Sequence, residues 1–199
     1  MNFLAHIYLS GDDPQMRIGN FMADGVRGQN YEQYPPGIKN GILLHRAIDS
    51  FTDAHPVFRQ STKRLHPDFH HYSGVIVDVF YDHFLAANWK MYSTNDLEDY
   101  AQSFYQLLED NHDILTDRVA HILPVMKTYN WLGSYASVDG ISQILQQMDR
   151  RTDNQSKMRF AGDFLRRDYK LYEKEFFEFF PDLEAMCREK RAQLGATPD

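Results

Sequence analysis

Thiol is nearly absent from this chain: Cys187 is its single cysteine. That excludes a disulfide framework and any zinc site built on thiolates. Positive charge is in deficit, with 21 Lys and Arg against 28 Asp and Glu and a formal net charge of −7. Nucleic-acid binding by a broad basic surface is therefore disfavoured. The sequence has no glycine-rich phosphate loop, no internal repeat, no low-complexity segment and no run of alternating strands. No stretch is apolar for long enough to span a bilayer. The opening residues, MNFLAHIYLSGDD, lack the basic region and small-residue cleavage site of a signal peptide. The expectation is a reduced, cytoplasmic protein with neither nucleic-acid nor membrane partners. What is present is 43% hydrophobic and 14% aromatic content over 199 residues, enough for one core and one domain.

The stretch 38–53, IKNGILLHRAIDSFTD, organises the rest. It reads as a helix with an apolar face of Ile42, Leu43, Ala47, Ile48 and Phe51. His45, Asp49 and Asp53 follow at four-residue steps, which puts one imidazole and two carboxylates on a single ridge. Beside so much apolar surface such acids either pair with a cationic side chain such as Arg46 or hold a metal. A second stretch, 75–91, carries Asp78, Asp82 and His83 in a strongly apolar helix. Asp78 and Asp82 share a face, where like charges repel unless a cation separates them.

The remaining chain reads as helical too. Residues 1–10 form a short apolar helix around His6, and Asp12 or Asp13 caps the next, with Pro14 in its first turn. Asp24 sits at the end of a helical turn, where the helix dipole gives a carboxylate nothing. A further helix spans 57–66, followed by a histidine-rich loop over 66–74. Arg59, Lys63 and Arg64 make the most basic spot, with Arg17 and Arg27 elsewhere. Asn95 or Asp96 caps a helix over 97–117, Pro124 breaks or kinks the next piece, and Ser137 caps a helix through 148. Met126, Tyr129 and Trp131 line a groove or belong to the core. A long charged helix covers 158–180, Pro181 restarts the chain into a last helix, and the tail 195–199 is loose. The fold class is all-α, a single-domain helical bundle over 1–199 with long helices from about 156.

Facing helices would bring His45, Asp49, Asp78 and Asp82 together, with Asp24 and His6 completing a nitrogen–oxygen ligand set. Such a set suits Mn²⁺, Mg²⁺ or Fe²⁺. A metal there would activate water and offset phosphoryl charge, Arg46 would clamp a phosphate or pair with an acid, and His83 would deliver a proton to the leaving group. The alternatives are a di-iron helical enzyme, whose paired Glu-x-x-His pattern is missing, and a helical binding protein with buried ion pairs.

Several segments together resemble the acyl carrier protein phosphodiesterase family. They are MNFLAH at 1–6, GNFMADGVRG at 19–28, PP at 35–36, GILLHRAIDSFTD at 41–53, DVFYDHFLAANW at 78–89 and YNWL at 129–132. The resemblance implies a bundle related to the HD-domain phosphohydrolases. It implies a divalent cation, with Mn²⁺ effective, and removal of 4'-phosphopantetheine from the serine of holo acyl carrier protein to give the apo form. Its polar motif positions fall on His6, Asp24, His45, Arg46, Asp49, Asp53, Asp78, Asp82 and His83. The chain departs from the HD pattern in having Asp82 before His83 and no adjacent His-Asp pair among these positions. Asp24, His45, Asp78 and Asp82 are expected as leading metal ligands, with His6 and Asp49 beside them. His45, Asp49, Arg46 and His83 are the candidate catalytic set, and Asp53 orients a ligand histidine. The implied carrier partner is acidic, so Arg59, Lys63 and Arg64 are expected to dock it. The other readings are a hydrolase of nucleotides or small phosphodiesters, and a helical adaptor that binds carrier protein without cleaving it.

Overall fold

The computed structural model describes residues 1–195, and among them the chain forms eleven α-helices and no strand. The helices are α1 (Phe3–Leu9), α2 (Pro14–Met22), α3 (Pro36–Ala54), α4 (Pro56–Phe69), α5 (Ser73–Ala87), α6 (Leu97–Asp110), α7 (Asp117–Thr128), α8 (Trp131–Ser134), α9 (Val138–Arg150), α10 (Ala161–Arg167) and α11 (Tyr169–Gln193). The expected starts follow local chemistry. Asp13 accepts from the backbone N–H of Gln15 and Met16 at 2.9 and 3.1 Å, with Pro14 in the first turn. Ser137 accepts from Gly140 N–H at 3.0 Å to start α9.

The expected breaks are less well matched. The histidine-rich stretch is not an open loop: α4 runs to Phe69, and a 3₁₀ turn covers His70–Tyr72. His70 takes a positive φ of 49° there. The helix expected over 97–117 stops at Asp110, where polar Asn111 turns the chain with its N–H on the Leu108 carbonyl. Pro124 and Pro181 lie inside α7 and α11 rather than ending them. Each proline removes one backbone donor. Burial of Leu123 and Met126 around the first, and of Phe179, Phe180 and Leu183 around the second, holds the helices together regardless. The expected 158–180 helix divides at Asp168, which leaves helical geometry at φ −112°, ψ 24° and accepts from Arg167 at 2.7 Å. The tail expected to be loose lies, beyond Gly195, outside the described residues.

The core centres on α5 and α11. Phe80, Tyr81 and Phe84 meet Tyr172, Phe176 and Phe179, all fully buried. The Tyr81 and Phe179 rings lie 5.3 Å apart and those of Phe80 and Tyr172 5.2 Å apart. Burying one such ring is worth about 1.5–3 kcal/mol. One acid enters this core. Glu175 accepts from Ser61 Oγ at 2.5 Å and from both terminal nitrogens of Arg64 at 2.9 and 2.5 Å. Arg64 also lies over the Tyr172 ring. It is therefore turned inward, away from the basic surface patch where the sequence suggested it, because a buried carboxylate requires a counter-charge.

Helix α1 packs on α2 and on α5, and α2 packs closely along α3. Two glycines allow that approach: a Cβ at Gly19 would overlap the Ile38 carbonyl, and one at Gly41 would sit 2.7 Å from Asn20 N. Backbone cannot yield as a flexible side-chain tip does. Gly41→Ala is expected to lower stability by about 1–3 kcal/mol in urea unfolding and to weaken divalent-cation binding, since Asn20 moves with α2. Unchanged cation affinity would mean the crossing does not set the site.

Candidate metal centre

Where α1, α2 and α3 meet, four polar side chains converge. His6 comes from α1, Asn20 from α2, and His45 and Asp49 from one face of α3. Asp24 stands in the 3₁₀ turn Ala23–Gly25 after α2. Asn20 is fully buried. Its amide nitrogen donates to the His6 carbonyl and to Ser10 Oγ, each at 2.9 Å, which leaves Oδ1 as an acceptor. That oxygen lies 2.8 Å from His6 Nδ1 and 3.2 Å from His45 Nδ1. Both Nδ1 atoms therefore carry hydrogen. The rings stack with centroids 4.1 Å apart and turn both Nε2 atoms toward acids. His6 Nε2 is 3.4 Å from Asp49 Oδ1, and His45 Nε2 is 3.1 Å from Asp49 Oδ2 and 3.3 Å from Asp24 Oδ1.

The environment splits the two imidazoles. Burial, then the charge of His45, pulls His6 down to about 4. Burial also opposes charge on His45, but the hydrogen bonds to Asp24 and Asp49 outweigh it and raise His45 to about 9. Burial raises Asp49, yet both histidines hold it well below the usual carboxylate range. The His45 hydrogen bond, against burial, keeps Asp24 low as well. Without a cation, neutral His6 presents its Nε2 lone pair to a carboxylate oxygen. Two acceptors in contact need an electrophile between them. One ligand atom each from His6, His45 and Asp49 lies within 4.8 Å of the others. The donor set therefore fits a divalent cation.

The cluster lines a cleft of about 400 Å³ together with Asp24, Asp53, Asp78 and the aromatic side chains Phe3, Phe21, Trp131 and Tyr135. The other expected site residues are distributed differently. Asp78 reaches the cleft, and its Oδ1 accepts from the Met1 ammonium at 2.7 Å. Asp82 is wholly buried and accepts from the backbone N–H groups of Asn2, Leu4 and Ala5 at 3.0, 2.7 and 3.3 Å. Burial pushes its carboxyl up to about 7, against the pull of the Met1 ammonium and those N–H groups. The repulsion between Asp78 and Asp82 is thus relieved by an ammonium and a helix N-terminus rather than by a shared cation. His83 points elsewhere, with Nδ1 2.8 Å from the Tyr135 carbonyl and Nε2 3.1 Å from the Tyr169 hydroxyl. It is not brought to the cluster, because one residue step turns the helix by about 100°. Arg46 donates to the Val26 and Gly28 carbonyls at 3.1 and 2.7 Å and lies over Tyr31. It ties the loop after Asp24 to α3 instead of facing the cleft.

Arg59 and Lys63 line a second, open groove with Thr62, His66 and His70, and Asp53 borders both this groove and the cleft. Sequence reasoning missed Asn20, Arg118, Gln147 and Arg151 as cleft residues. The four-residue step from Asn20 to Asp24 was a usable signal. Arg118 carried none, and the four-residue step from Gln147 to Arg151 at the end of α9 includes neither an acid nor a histidine. Trp131, left between groove and core, lines the cleft, whereas Met126 is buried and Tyr129 is exposed.

A cation bound at His45 Nε2 would displace the proton that Asp24 and Asp49 hold there. Below about pH 9, apparent affinity for Mn²⁺ should therefore rise with pH by about tenfold per unit, with about one proton released per ion. Calorimetry in two buffers of different ionisation enthalpy reads that proton. An affinity flat between pH 6 and 8 would exclude His45 as a ligand.

Known proteins resemble this chain over most of its length. A sequence model of the family described as acyl carrier protein phosphodiesterase matches residues 1–183. A relative of that name from Yersinia pestis is 30% identical over 194 residues, covering 96% of this chain and 100% of the relative. Another, from Photorhabdus laumondii subsp. laumondii, is 29% identical over 182 residues, covering 91% and 92%. A third, from Escherichia coli O139:H28, is 29% identical over 195 residues, covering 96% and 99%. No solved structure matches the chain. The chain belongs to the acyl carrier protein phosphodiesterase family.

Proposed function

We propose that the cleft hydrolyses the phosphodiester joining 4'-phosphopantetheine to the serine of holo acyl carrier protein. The observation that carries this reading is the pair of imidazoles clamped by Asn20, with both Nε2 atoms facing Asp49 and Asp24. His6, His45, Asp49 and Asp24 would hold a divalent cation, with Mn²⁺ the first candidate and Mg²⁺ or Fe²⁺ alternatives. Such a cation lowers the pKa of water and offsets charge on phosphoryl oxygens. Asn20 holds hydrogen on both Nδ1 atoms, so binding would need only the loss of the His45 Nε2 proton and no transfer between ring nitrogens. In the reaction a water oxygen joins phosphorus, the phosphorus–oxygen bond to the carrier serine breaks, and the serine oxygen takes up a proton. The products are apo carrier protein and 4'-phosphopantetheine. Asp78 belongs at the cleft wall, oriented by its ammonium partner. The HD-type kinship of this single domain rests on the family resemblance alone, since its motif residues include no adjacent His-Asp pair. A cytoplasmic setting fits the substrate and the single, buried thiol of Cys187.

An enzyme of net charge −7 repels an acidic carrier at long range. Arg59 and Lys63 sit in the groove that meets the cleft at Asp53 and would offset that repulsion locally. Arg64 is occupied by Glu175 and takes no part.

The test is the mass of holo acyl carrier protein after incubation with metal-stripped protein, with and without Mn²⁺. Loss of the phosphopantetheine mass only with Mn²⁺ is expected. An unchanged mass, with small phosphodiesters still cleaved, would move the assignment to a nucleotide or other small-diester hydrolase. Charge reversal of Arg59 and Lys63 together should lower kcat/KM for carrier protein about 10-fold or more at low salt. The same change should spare bis(4-nitrophenyl) phosphate. An equal loss on both substrates would assign the groove to folding or catalysis instead.

A further inference from the structure

The cleft has two unlike sides, and only one has been given a role. Facing the His/Asp cluster is a wall built by α8 and α9, to which Trp131, Ile144, Gln147, Met148 and Arg151 contribute. Ile144 and Met148 stand four apart on α9, and Gln147 stands four before Arg151, the residue that caps the end of α9, so an apolar pair runs beside a polar pair. The Trp131 indole N–H is buried and meets no hydrogen-bond partner among the described residues. A donor left in that state is unfavourable unless a ligand accepts from it. Arg151 lies 5.9 Å from the Trp131 ring centroid. Neither Arg151 nor Arg118, at the α7 edge of the cleft, forms an ion pair with a carboxylate among the described residues. Their charge is available to an anion, and Arg118 already helps hold Asp24 ionised.

We infer that this wall is the subsite for the pantetheine arm, with Arg118 and Arg151 on the phosphate. The inference rests on the proposed function and assigns the arm that keeps the phosphate to residues. An arm of this kind is a flexible, uncharged chain interrupted by amides. Ile144 and Met148 match its aliphatic segments. The Trp131 N–H matches an amide carbonyl, and Gln147 can both donate to and accept from a second amide. The cleft, at about 400 Å³, suits a slender chain and excludes a folded protein surface. The carrier protein is left with the open basic groove on the far side of Asp53. The two halves of the diester are therefore sorted by shape and charge, the neutral arm to α8–α9 and the acidic protein to α4.

Trp131→Phe keeps the ring and removes the donor, and Met148→Ala shortens the apolar row. Binding of free 4'-phosphopantetheine to the Mn²⁺-loaded protein is measured by calorimetry, and kcat/KM is compared between holo carrier protein and bis(4-nitrophenyl) phosphate. Each variant should weaken 4'-phosphopantetheine binding about 5–10-fold and lower the carrier-to-small-diester specificity ratio by a similar factor. Wild-type indole fluorescence should change on binding, and the change should vanish in Trp131→Phe. If holo carrier protein is hydrolysed and the variants alter neither binding nor the ratio, the wall does not hold the arm, although the proposed function stands. If a ratio stays constant because both substrates lose equally, the wall serves folding or catalysis and the inference fails. If holo carrier protein is untouched and a nucleotide monophosphate binds more tightly than 4'-phosphopantetheine, the inference fails together with the proposed function.

Discussion

The site depends on one shared hydrogen-bond acceptor. Asn20 Oδ1 takes hydrogens from the Nδ1 atoms of His6 and His45, and so presents both Nε2 atoms to the acids. Its own orientation is not free, because its nitrogen is committed to the His6 carbonyl and Ser10. A buried amide with every group paired is rigid in a way that an exposed one is not. The close approach of α2 to α3 over Gly19 and Gly41 is what lets Asn20 reach both rings. Packing, tautomer and ligand geometry are here one constraint.

The acids of α5 serve the same arrangement from behind. Asp82 caps the start of α1 from another helix, where the exposed N–H groups favour negative charge. Asp78 holds the Met1 ammonium. Between them they anchor the short helix that carries His6. A seven-residue helix has little stability of its own, and a buried carboxylate on its N-terminus supplies what its length does not. His83, next in sequence, secures Tyr135 through its backbone carbonyl and so supports the opposite side of the cleft.

Charge is unevenly distributed around the cleft. The acidic chain places basic side chains in two regions, Arg59 and Lys63 in the groove that meets the cleft at Asp53, with Arg59 Nε on the Asp53 carbonyl at 2.8 Å, and Arg118 and Arg151 on the cleft wall itself. Arg64 and Arg46 are equally cationic yet are consumed internally, one by buried Glu175 and one by loop carbonyls. Proximity in sequence did not separate these roles, since Arg64 adjoins Lys63. What separates them is whether a buried acceptor lies within reach.

The sequence by itself determined the helical architecture, the caps at Asp13 and Ser137, and the His45–Asp49 ridge, because all of these follow from contacts within about four residues. It also carried the family, through segments spread over most of the chain. It could not say that Asp82 meets a backbone 78 residues away at Leu4, or that helices run through Pro124 and Pro181. A four-residue step states that two side chains share a face. It does not state what that face meets. Only the tertiary structure decided that Asp49 of α3 meets His6 of α1 while α5 turns its acids to the start of the chain. A carboxylate's role is set by its nearest donor, and in the core that donor came from a distant part of the sequence.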